Sequence, residues 1–158
     1  MNIIRNVTYG LACVSLLANL LLLLLPLRPV ERAAGLQGVS HVVQIVGLVL
    51  GALSILAVIY LHTRGASTGF KFRPVDSILQ PALVVAFLSF LFFMPPGRLE
   101  RSSDAWKSTG RFSQTTLSDA DAEIAANRIV RSGLFFAAFG LYTLSILAVV
   151  VENAATKK

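Results

Sequence analysis

The sequence has little charge. Asp, Glu, Lys and Arg make up 14% of its 158 residues, against about 25% in an average soluble domain. It has one cysteine, Cys13, which rules out an intrachain disulfide and leaves the redox compartment unread. It has two histidines, His41 and His62. If the chain between them is helical, they stand about 31 Å apart and cannot share a metal ion. There is no G-x-S-x-G nucleophile elbow and no glycine-rich phosphate loop. These absences leave no catalytic constellation, no metal site and no cofactor site to assign.

Hydrophobic residues are plentiful, at 55%, and they are arranged in runs. A membrane-crossing helix needs roughly 17 to 25 mostly apolar residues, because each residue rises about 1.5 Å across a hydrocarbon core of about 30 Å. Four segments meet that requirement, at about 9–27, 42–61, 78–94 and 133–151. None contains Asp, Glu, Lys, Arg or His. Buried helices of soluble proteins keep a polar stripe, whereas these are apolar all round. The expected fold is therefore all-α: an integral membrane four-helix (tetraspan) bundle, one domain over 1–158, with both termini on the same side. The first run is too long for a cleavable signal core and reads as a retained anchor.

The net charge of +6 belongs to the span flanks, so it points to headgroups and not to nucleic acid. Orientation is nearly tied. Arg5, Arg64, Lys71, Arg73, Lys157 and Lys158 would lie on one side, and eight Arg and Lys of the first and third connections on the other. The denser set places the termini in the cytoplasm. Spans of 17 to 20 residues suit an endomembrane or a bacterial inner membrane.

The connection after the second span holds Phe70-Lys71-Phe72-Arg73, rings and cations alternating as interfacial lipid contacts do. The third connection, 95–132, is long. Its first half reads as a polar connector carrying the only tryptophan, Trp106. Its second half reads as helix, from a Ser118 N-cap with Asp119, Asp121 and Glu123 in the first turn. Trp106, Arg128 and Arg131 make this loop the candidate surface for a partner, with Arg128 and Arg131 snorkelling at the boundary.

Polar side chains inside the spans are few. Asn19 in the first and Gln44 in the second are the intramembrane amides, and an amide at depth seeks an interhelical partner. Small residues one turn apart, Gly47 with Gly51 and Gly133 with Ala137, provide flat faces for helix packing. The layout of four short spans and a long third connection resembles that of MARVEL-type tetraspans, in plan alone. The functional expectation is a non-catalytic multi-pass protein that packs against the lipid bilayer and other membrane proteins, or against itself. It would be an organiser or scaffold, or an accessory subunit. An oligomeric transporter or channel around Asn19 and Gln44, and an interfacial lipid-modifying enzyme using His41 or His62 as base, are the alternatives.

Overall fold

The computed structural model describes residues 2–65, 76–92, 97–102, 105–109 and 114–156. Eight elements follow in order: α1 (Asn2–Leu24), α2 (Val30–Gly35), α3 (Gln37–Thr63), α4 (Asp76–Phe92), β1 (Arg98–Ser102), β2 (Ala105–Thr109), β3 (Gln114–Leu117) and α5 (Asp119–Thr156). The chain is mostly helical. Among the described residues three helices, not four, are long and apolar enough to cross a membrane: Ile3–Leu24, Gln37–Thr63 and Asp119–Ala155.

The third of the four expected spans is the one that does not reach that length among the described residues. The run read as 78–94 forms α4, which has 17 described residues and rises roughly 26 Å. Asp76 opens the helix; Phe93 and Met94, which complete the expected run, lie outside the described residues, and Pro95-Pro96 follows them in sequence. The all-α expectation is corrected as well. The first half of the third connection folds as an antiparallel sheet in the order β1-β2-β3, with Leu99 opposite Ser108 and Trp106 opposite both Arg101 and Leu117. α3 also starts at Gln37, more than a turn before the expected boundary.

α5 is the hub, in contact with the other four helices and all three strands. It starts where Ser118 caps it: Asp121 N–H donates to Ser118 Oγ at 3.2 Å, and Ser118 Oγ–H donates to the Asp121 carboxylate at 2.7 Å. α3 lies along α5 and runs the same way, with Ser40 beside Gly133, Gly47 beside Phe136 and Gly140, and Gly51 beside Phe139. α1 runs against α5: Arg5 reaches Glu152 at one end, and Leu27 meets Asn127 at the other. α4 also runs against α5, since Gln80 meets Tyr142 and Phe87 meets Phe135. Successive long elements therefore alternate in direction.

Two apolar cores result. At the end of the molecule where α5 begins, Val30, Ala33 and Ala34 of α2, Leu99 and Trp106 of the sheet, and Ala122, Ala125, Ala126 and Ile129 of α5 close a small cap. Between the helices, Ala12 and Leu16 of α1, Leu79 of α4, and Phe135, Ala138 and Tyr142 of α5 form the bundle core. The outer edge of the cap sheet is sealed at β1. The Gln37 carboxamide donates to Leu99 C=O and accepts from Leu99 N–H, both at 3.0 Å, standing in for a missing strand.

Candidate functional site

Among the described residues, side-chain hydrogen bonds between the helices of the bundle fall into two layers, and each includes a residue of α5. The layer nearer the cap joins the three long helices. The Asn19 amide of α1 donates to the carbonyl of Arg131, and the Gln44 amide of α3 donates to Ser132 Oγ. Ser132 Oγ–H in turn donates to Ile129 C=O at 2.7 Å. One turn nearer the cap, Asn127 receives Leu27 N–H at 2.8 Å and donates to Leu27 C=O at 3.1 Å, so α1 is tied to α5 where it ends. Each bond satisfies a group that lipid could not. Two atoms of this layer stay buried without a partner: Asn19 Oδ1 and Arg131 Nε.

The second layer sits toward the chain termini. Tyr9 Oη–H donates to Asp76 Oδ1 at 2.9 Å, and Gln80 Nε2–H donates to Tyr142 Oη at 3.0 Å. The two tyrosine rings lie 6.3 Å apart, and Cys13 packs beside them. Asp76 is fully buried. The third apolar run begins at residue 78, so the sequence predicts spans with no carboxylate between them. The structure corrects that, because the first turn of α4 is drawn in against α1. Its position at a helix N-terminus suits a carboxylate, and both Asp76 and Tyr9 have further partners. Arg5 and Glu152 approach to 3.5 Å at the same end.

The small residues face inward. A Cβ on Gly47 would collide with the carbonyl of Phe136, one on Gly140 with the backbone of Gly47, and one on Gly51 with the Phe139 ring. Gly133 abuts Ser40, and Ala137 lies beside Gly47. The Gly47/Gly51 groove is thus filled by α5 of the same chain. Trp106 is 7% exposed and belongs to the cap core, with Arg101 over its ring at 5.8 Å. Arg128 and Arg131 lie on α5, three residues apart, both partly buried. Phe70, Lys71, Phe72 and Arg73 fall outside the described residues.

His41 is partly buried near the cap end of α3, and His62 is exposed near its far end. Among the described residues no cluster of three His, Cys, Asp or Glu side chains could hold a metal ion. What the layers do chemically is join helices: in each, amides and hydroxyls bond across helix interfaces. Compared with known protein families, with curated proteins and with solved structures, the chain shows no match.

Proposed function

We propose that this chain is a multi-pass membrane protein whose four apolar helices all cross the bilayer, with both termini on one side and the cap on the other. It acts without catalysis, by helix packing, as an accessory subunit of a larger membrane complex or as an organiser of its surroundings. The crossing of α4 is supported by the alternating helix directions. α4 begins beside Tyr9 and Tyr142 and ends toward the cap. Its roughly 26 Å length is at the short limit for a core of about 30 Å, a mismatch that local thinning accommodates.

The observation that carries the functional reading is the surface of α3. Its buried positions are Ser40, Gly47, Gly51 and Ser54, a single seam against α5. Around the rest of the helix Val42, Ile45, Val46, Val49, Leu53 and Leu56 are exposed. A helix held by one edge and apolar on every other side offers a partner helix as much surface as it offers lipid.

Native mass spectrometry of the protein extracted gently from its own membrane tests this. A defined heteromer is expected. A homo-oligomer would favour the second reading, an oligomeric transporter or channel, for which the buried Asp76 is the one supporting observation. The crossing of α4 has its own test. In a Cys13→Ser background, Arg64→Cys and Ser102→Cys should react with an impermeant maleimide from opposite sides of the membrane. Reaction from one side would remove the fourth crossing.

A further inference from the structure

Arg131 is placed where an arginine is costly. Its carbonyl is held by Asn19 of α1. The residues of α1 that follow Asn19 toward the cap, Leu21, Leu23, Leu24 and Leu25, are 47–76% exposed and apolar. On α3, Gln44 meets the neighbouring Ser132, and Val39 and Val42, which lie nearer the cap, are exposed as well. Along both helices the apolar outer surface therefore continues past the level of Arg131 toward the cap. The cation starts inside the lipid-facing belt, where an ionised side chain needs a counter-charge or a route to the interface.

No described residue supplies that counter-charge. The ion pairs of the cap use Arg28 with Glu123, Arg98 with Glu100 and Arg101 with Glu31, and none includes Arg131. Its Nε is buried and makes no hydrogen bond. Arg131 as a residue is only partly buried, so part of it reaches the surface. The nearest charge on the same face is Arg128, one turn toward the cap, and it is of the same sign. A partly buried guanidinium with a sealed, unmatched donor and no counter-charge among the described residues calls for an anion. The fork of donors matches two oxygens of a phosphate.

We propose that Arg131 binds the phosphodiester of an anionic phospholipid from the leaflet on the cap side. A lipid is the source, and not a free anion, because the approach to Arg131 runs through the apolar belt. Lipid acyl chains lie along the exposed Leu21 to Leu25 face of α1. The inference rests on the membrane-spanning reading above.

The test uses the full chain purified in mild detergent and titrated with phosphatidylglycerol, with phosphatidylcholine and with inorganic phosphate, followed by native mass spectrometry. Wild type should retain phosphatidylglycerol in preference to phosphatidylcholine, and Arg131→Gln should lose about tenfold in phosphatidylglycerol affinity. Arg131→Lys, which keeps the charge and removes the fork, should fall between the two. If Arg131→Gln does not fold, wild type and Arg131→Lys decide: equal retention of the two lipids by wild type, or equal phosphatidylglycerol affinity in the two proteins, would overturn the site. Competition by inorganic phosphate at the lipid's own concentration would overturn the lipid as its occupant. Alkaline carbonate extraction of the source membranes separates this failure from that of the parent reading. A protein that stays in the pellet yet shows no lipid preference refutes the Arg131 site alone, while one that is released refutes the spanning reading itself.

Discussion

The cap and the bundle are built on opposite physical terms, although one helix, α5, serves both. The cap core is a patch of alanines closed over by two large side chains, Leu99 and Trp106, with Ile129 beneath. Its rim is charged, with three ion pairs among partly or largely exposed side chains. Such a core is held by the removal of apolar surface from water. The bundle has no such drive where lipid surrounds it, because leaving a neighbouring helix for lipid exposes nothing to water. Its helices are held by fit and by hydrogen bonds that have no alternative partner. Hence the glycine seam of α3 and the amide and hydroxyl layers lie along α5. The same residue type does different work in the two regions: a leucine closes the cap, whereas Leu21, Leu23 and Leu24 of α1, and Leu25 just after it, face outward.

The sharpest way to break this comparison is to remove a large side chain from the cap. Leu99 is 2% exposed in a core otherwise made mostly of small residues, so little can collapse into the space. Leu99→Ala should cost the cap about 2–5 kcal/mol. Trp106 fluorescence in a urea titration should show the sheet releasing at lower denaturant, while far-ultraviolet circular dichroism keeps the helical signal of the bundle. If both signals moved together, cap and bundle would be one cooperative unit and the distinction would fail.

A smaller effect is expected from filling the seam. Gly47→Val puts a branched side chain where Phe136 C=O and the Ala137 amide nitrogen already sit, so α3 must move outward. The expected cost is about 1–3 kcal/mol of overpacking, read as a lower thermal midpoint in detergent. Gly38→Val, at a position with open space around it, serves as the control and should cost only its helix propensity. Equal losses for the two would mean that α3 is not held by the close approach.

How much of this was legible in the sequence follows from the same physics. The three long helices were legible because each run of 19 or 20 apolar residues comes close by itself to the roughly 30 Å of a hydrocarbon core. Gly47 and Gly51 marked a packing face, but their neighbours Phe136, Phe139 and Gly140 could not be named, because a groove does not specify what fills it. The sheet was not legible. Its strands are four or five residues long, and each contributes one sizeable inward apolar residue, Leu99, Trp106 or Leu117. The rest of their core comes from α2 and α5. Asp76 was missed for a related reason: it stands two residues outside the apolar window, and its partner Tyr9 is 67 residues away.

The smallest effect tests the hydrogen-bonded half of the bundle's account. Asn19 is 3% exposed, with its amide nitrogen on Arg131 C=O and its Oδ1 without a partner. Asn19→Leu removes one interhelical bond and also one unsatisfied acceptor, and it places a side chain of similar size in an apolar interface. Interhelical bonds in membranes average about 0.6 kcal/mol and reach about 1.7 at most, and losing the orphaned Oδ1 offsets part of that. The thermal midpoint in detergent should therefore fall only slightly, by less than for Gly47→Val. Asn19→Ala, which removes the bond and leaves a void, should cost more than Asn19→Leu. The reverse order would show that the polar layer, and not fit, governs the α1–α5 interface, and that the two regions differ less than their cores suggest.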